Sequence, residues 1–342
     1  LLPILALLGF VERSWLETGG EIYTLLLQFQ LVIDFFILFF LVLLRVWPKG
    51  GAVALASFRE CLRHPMFWFI FVLALLLLLT MPIVPYFTFG EDFKMVKDLG
   101  YSTILLAAGG FGVLAASMLI SEEIEGRTAI TLMSKPVSRR QFLIGKFVGL
   151  LLSALAMTGA LSLVFDGVLV FKVWYDKDPV PVPPWLTAAL PGWTARVGEM
   201  SANFLAGNVW WFQHAGNALP GVILGFCEVM VLLAIAVALA TRVPMIVNLN
   251  SCLVIFFLGN LTPVLVQVSQ KQFPLVRFVA QLFDTLLPSL EFFNLGPAIA
   301  RDVPPDPGPF AFYLGSVVLY SLLYTTIALL VGLILFEDRD LA

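Results

Sequence analysis

The stretch Ser121–Lys146, SEEIEGRTAITLMSKPVSRRQFLIGK, decides how the chain is read. It is the most densely charged run in an apolar sequence, and a segment long enough to cross a bilayer flanks it on each side. Ile124, Thr128 and Leu132 recur at helical spacing up to about Ser134. Pro136 then interrupts, because proline lacks the amide proton and clashes with the preceding turn. Ser138-Arg-Arg-Gln141 has the S-x-x-Q form of a capping box, so a new helix starts there and runs into the next apolar segment. The pattern predicts a structured hairpin at the membrane surface that presents a rigid face.

Working outward, hydrophobic residues make up 60% of the 342 residues and charged residues 13%. A soluble domain carries about a quarter charged residues, and the mean hydropathy here is +0.96. The fold class is an all-α polytopic membrane protein; a β-barrel shows alternating segments of about 10 residues rather than long apolar blocks. A net charge of −3 argues against a nucleic-acid partner. Cys61, Cys227 and Cys252 lie in or beside apolar segments without CxxC spacing, which indicates neither a disulfide framework nor a zinc site. Leu1–Phe10 reads equally as the tail of a signal sequence, part of a further membrane helix, or an interfacial stub.

Seven membrane spans are expected, at about 22–46, 67–87, 101–121, 142–170, 219–241, 244–267 and 311–336. With the hairpin cytoplasmic, eleven of the 20 Lys and Arg residues fall on the inner side although the outer loops are longer. By the positive-inside rule this places the N-terminal end outside and the C-terminus inside. Trp47-Pro-Lys-Gly-Gly51 breaks the chain after the first span. Val53–Arg63 then alternates Val53, Leu55, Phe58 and Leu62 with Ser57, Arg59, Glu60 and Arg63, the pattern of an amphipathic helix in the membrane plane. It reads alternatively as the start of the next span, with His64-Pro65 making a bend between the two.

Two outer segments are expected, 173–218 and 268–310. In the first, the run Asp178-Pro-Val-Pro-Val-Pro-Pro184 is extended and stiff, and Trp174, Trp185, Trp193, Trp210 and Trp211 suit an interfacial belt. This segment reads as a cap on the outer leaflet, because about 45 residues hardly build a core of their own. In the second, Val276, Val279, Leu282, Phe283 and Leu286 share one face of a helix over 273–287, at or dipping into the outer leaflet.

Phe58-Arg-Glu60, Ser121-Glu-Glu-Ile-Glu-Gly-Arg-Thr128, Ser134-Lys-Pro-Val-Ser-Arg139 and Gly145-Lys146 together resemble permease subunits of ABC-2 type transporters. Leu287-Pro-Ser-Leu290 with Phe292-Phe-Asn294 resembles the branch associated with maturation of multicopper enzymes such as nitrous-oxide reductase. The resemblance covers about 52–342. It implies six core helices, an in-plane elbow helix (53–64) before the first, and two permease copies per transporter, alike or different. It also implies a coupling element at 121–141 that docks on a cytoplasmic ATPase subunit, which binds ATP and Mg. Residues 1–51, with one extra membrane helix, depart from the pattern. The expected setting is the cytoplasmic membrane of a prokaryote, with membrane lipid around the helices and a periplasmic partner possible at the outer segments.

The chain contains no GxxxxGK[ST], HExxH or GxSxG motif. It therefore reads as a transport subunit rather than an enzyme, with no cofactor or metal of its own. His64 and His214 fall on opposite sides of the membrane in this topology and cannot share a metal. At the hairpin, Glu122, Glu123, Glu125, Arg127, Thr128, Lys135, Pro136, Arg139 and Arg140 form the expected ATPase-coupling interface, with charge complementarity fixing the partner. Arg139 and Arg140 read equally as positive-inside anchors. Phe58, Arg59, Glu60 and Arg63 mark the elbow helix.

Acids inside spans are the other unusual feature, because such groups usually face a bundle interior or cavity. Asp166 is expected to reach the outer interface. Glu228, with Asn248 and Asn250, and Asp34 are candidates for a polar translocation path; structural, hydrogen-bonded acids are the plainer alternative. Two rival readings stand beside that of an exporter: a stand-alone proton-coupled transporter or channel using Asp34 and Glu228, and a non-transporting scaffold.

Overall fold

The structure, a computed structural model, describes residues 13–84, 92–125, 138–176, 188–189, 191–192, 198–269, 274–294 and 307–337. It is an all-α polytopic membrane fold with no strands among these residues. In chain order the helices are α1 (Arg13–Val46), α2 (Pro48–Arg63), α3 (Pro65–Thr80), α4 (Asp92–Glu125), α5 (Arg139–Asp176), α6 (Glu199–Ala240), α7 (Met245–Ser269), α8 (Pro274–Leu286) and α9 (Pro307–Glu337), with a 3-10 turn at Leu290–Phe293.

Six of these helices are long and apolar enough to cross a membrane. The expected second span is the exception: α3 has only 16 residues, short of the ~20 a bilayer asks for. It meets α2 at a 59° bend. His64 makes that bend, ending α2 in extended backbone and accepting the Met66 N–H on Nδ1 as the N-cap of α3. Pro65 follows at the first helical position, where its missing N–H costs nothing.

Several boundaries differ from expectation for identifiable reasons. The first span begins at Arg13 rather than 22. The break at Trp47–Gly51 shrinks to Trp47, because Pro48 opens α2 instead of merely closing α1. The span expected over 101–121 is helical already from Asp92, whose charge suits the positive end of a helix. The largest correction concerns the cap expected over 173–218. Residues 199–218 belong to α6, one helix of 42 residues that runs through Pro220. Pro220 does not end the helix, since neighbouring helices can support a membrane helix around a proline.

That support is visible. α6 is the hub, packed against α1, α4, α5, α7 and α9. A Cβ placed on Gly20 of α1 would lie 2.3 Å from the Phe204 carbonyl, and one on Gly207 of α6 would lie 2.2 Å from the Glu17 carbonyl. Backbones therefore touch at this crossing, the use small residues have between membrane helices. Further along, Ala108, Ala154 and Val229 form a small buried cluster joining α4, α5 and α6. Gly112 faces Leu233 and Ala154.

Candidate functional site

The described ends of α4, α5 and α9 meet one another and the α6–α7 turn. α5 begins as the capping box predicts: the Ser138 N–H donates to Gln141 Oε1 and the Gln141 N–H to Ser138 Oγ, both at 3.2 Å. Ser121, buried at the end of α4, donates to the Val243 carbonyl in the α6–α7 turn at 3.5 Å. Three arginines then gather on the last turn of α9. Arg139 donates to the carbonyls of Phe336 and Glu337 at 3.2 and 2.9 Å, and Arg242 to that of Leu335 at 2.8 Å. The Arg139 guanidinium also lies over the Phe336 ring, and Arg140 pairs with the Glu337 carboxylate at 2.9 Å. A helix C-terminus leaves carbonyls without intrahelical partners and carries partial negative charge, and cations answer both needs. Arg139 and Arg140, read equally as partner contacts or positive-inside anchors, are tied to the end of α9.

Glu122, Glu123 and Glu125 lie on the final helical turns of α4, their side chains outside the described residues. Arg127, Thr128, Lys135 and Pro136 lie outside the described residues altogether, as does the side chain of His214.

Beside the hairpin the elbow helix is pressed onto α5. A Cβ on Gly149 would meet the Ala54 carbonyl at 2.5 Å and Ser57 Cβ at 2.7 Å; one on Gly145 would meet the Gly50 carbonyl at 2.9 Å. Lys146, nearly fully buried, reaches Glu60 at 3.4 Å. Phe58 of α2 packs on α1, its ring centroid 5.5 Å from Phe36 and 5.0 Å from Phe40. Arg59 and Arg63 are exposed. The Lys146–Glu60 link was missed in the sequence, although both residues stand in motifs quoted there; nothing in one sequence pairs positions so far apart.

The candidate path residues do not come together. Glu228 is buried in α6 and accepts from Asn260 Nδ2 at 3.4 Å. Asn248 is buried elsewhere, donating to Ser117 Oγ and the Ala236 carbonyl at 3.0 Å each. It therefore ties α7 to α4 and α6. Asn250 is exposed, on a groove of about 310 Å³ between α4 and α7 whose walls include Leu105, Gly110, Val113 and Phe256. Asp34 is exposed on α1, accepting from Gln30 at 2.8 Å.

Asp166 corrects the expectation that it reaches the interface. It is buried, 3.5 Å from Gln28 Nε2, while Gln28 Oε1 accepts from Trp211 Nε1 at 2.9 Å. The polar chain holds α1, α5 and α6 together. Trp211 is accordingly a buried structural donor rather than part of an interfacial belt. The spacing of polar residues on α1 (Thr24, Gln28) was the signal available.

Residues 60–186 match the family model for the ABC-2 family transporter protein. The matched stretch runs from the end of the elbow helix through α3, α4, the hairpin and α5. No curated protein sequence matches the chain. Over that stretch the protein is similar to ABC-2 transporters, and the similarity falls on the elements that converge at the hairpin. Among the described residues no group of three or more His, Cys, Asp and Glu side chains is placed to hold a metal ion.

Proposed function

We propose that the chain is the membrane permease subunit of an ATP-driven ABC transporter, working as an exporter in the cytoplasmic membrane of a prokaryote. The observation that carries this reading is the family match over 60–186, centred on the hairpin and its two flanking helices. A partner ATPase binds and hydrolyses Mg-ATP, and docks on the acidic turn Glu122, Glu123 and Glu125 with the residues that follow it. Movement there is passed on by rigid connections. Ser121 joins the α6–α7 turn, the arginines join the end of α9, and the glycine-floored contact joins the elbow. Two copies, alike or different, meet along the groove between α4 and α7, and substrate passes at that junction. Asn250 supplies a polar group there, while Glu228 acts from within the helix pair behind it. Outer segments offer a surface to a periplasmic partner.

The likeness to the multicopper-maturation branch does not extend this reading to a cargo. It rests on Leu287–Asn294, which has a packing role of its own. Leu290 and Pro288 seat against Gly259 of α7, and the Ser289 N–H donates to Tyr320 Oη at 3.0 Å.

The test is purification from native membranes followed by charge reversal of Glu122, Glu123 and Glu125 to Lys. An ATPase subunit with a phosphate-binding loop should co-purify with the unaltered chain and dissociate from the variant. Transport that proceeds with no ATPase bound, and stops when the proton gradient collapses, would replace this reading with the proton-coupled one.

A further inference from the structure

α1 lies outside the stretch that matches the family, and its two faces have different characters. The inner face is fixed by contacts: Phe36 and Phe40 on Phe58, Thr24 bonded to Asn208, and Gln28 bonded to Trp211. The outer face, traced through Gln30, Asp34, Ile37, Leu38 and Leu41, is exposed throughout. Asp34 stands in its middle. The nearest charged residues along α1 are Glu21 and Arg45, about 20 Å and 16 Å away at 1.5 Å per residue. A carboxyl is thus held near mid-bilayer depth on a lipid-facing surface, with Gln30 as its partner within the chain. Inserting an unpaired acid there is costly, and intramembrane acids otherwise pair or face a cavity. A groove of about 310 Å³ between α1 and α5 opens on a different flank of α1, along Gln28, Val32 and Phe35.

We propose that this face of α1 is an intramembrane docking site for a transmembrane helix of a different subunit, one that carries a Lys or Arg at the depth of Asp34. Charge complementarity selects the occupant. A second copy meeting this face on a twofold axis would set Asp34 against Asp34, a like-charge contact, because such an interface uses the same patch on both partners. A wholly apolar helix would leave the carboxyl as poorly satisfied as lipid does. A cationic side chain completes the Asp34–Gln30 pair, and exposed Ile37, Leu38 and Leu41 meet the rest of the helix. The inference does not depend on the transporter reading; it concerns the helix that the family match omits.

The test uses the full chain in phosphatidylcholine vesicles, with a fluorescent donor on a cysteine introduced at exposed Ile22. The native cysteines are all buried. Acceptor-labelled polyleucine helices carry a central Lys, a central Leu or a central Glu. The Lys helix should associate at least tenfold more tightly than the Leu helix, and the Glu helix no more tightly than Leu. Asp34→Leu, which removes only an exposed polar group, should bring Lys-helix binding down to the Leu level without altering the elution of the folded chain. Equal binding of Lys and Leu helices overturns the proposal, as does tight binding that survives Asp34→Leu. Asp34-dependent energy transfer between donor- and acceptor-labelled copies of the chain itself overturns it in favour of self-association.

Discussion

On α5, Gly145 and Gly149 are covered by the elbow helix so closely that no side chain fits between the backbones, whereas on α4 Gly110 has nothing within 4 Å of where its Cβ would be. Both positions are glycines in apolar helices, and composition treats them alike. The first is a weld: backbone meets backbone, and Lys146–Glu60 closes it at the hairpin end. The second is an opening, a groove walled by α4 and α7 with a single asparagine on its edge. Neighbouring Gly109 and Gly112 belong to neither extreme, since added Cβ atoms there would make ordinary contacts with Val229 and Leu233. The contrast separates where two helices meet backbone to backbone from where the surface of a helix is left open.

Substituting the weld should have the largest effect. In Gly149→Leu the first added carbon already falls 2.5 Å from the Ala54 carbonyl oxygen, and overpacking of this kind costs about 1–3 kcal/mol or more when backbone must shift. We expect loss of the monodisperse peak in fluorescence-detected size exclusion, or a much lower melting temperature. Gly110→Leu should leave both unchanged while abolishing transport, because it fills the groove. Equal stability losses from the two substitutions would erase the distinction.

Next in size is Asn248→Leu. The side chain is fully buried and donates twice at 3.0 Å; leucine removes both bonds, at about 0.5–1.5 kcal/mol each, although Ser117 keeps its own bond to the Val113 carbonyl. Asn250→Leu, two residues along the same helix but facing the groove, should melt like the wild type. Glu228→Gln comes third, since the amide keeps an acceptor for Asn260 and stability should hardly change. Transport should nonetheless fall if the acid participates; unchanged transport would make Glu228 a packing residue.

These contrasts also show what one sequence can and cannot disclose. Local signals were legible: the Ser138–Gln141 capping box, the His64-Pro65 bend and the amphipathic helix at Pro274–Leu286 each depend on residues within a turn or two. What escaped depends on distant partners. Residues 199–218 became helix rather than cap because α1 offers Gly20 to Gly207, and Asp166 is buried because Gln28 and Trp211 come to it from two other helices. The path residues looked like one set because Asn248 and Asn250 lie two residues apart in the chain. A helix turns about 100° per residue, so two positions apart they face different surroundings.

Arg140→Ala should have the smallest effect and gives the finest test. The ion pair with Glu337 joins side chains that are 70% and 46% exposed, and such pairs contribute about 0–1 kcal/mol before salt screens them. Arg139 by contrast reaches two terminal carbonyls and an aromatic ring of α9, so α9 stays fastened when Arg140 is removed. A melting temperature unchanged by Arg140→Ala is therefore expected at any ionic strength. Because stability is indifferent to it, any drop in ATPase coupling in that variant reports a contact Arg140 makes outside this chain. A drop in melting temperature as large as that of Arg139→Ala would instead show that both arginines hold α9, leaving the acidic turn of α4 to recognise the partner.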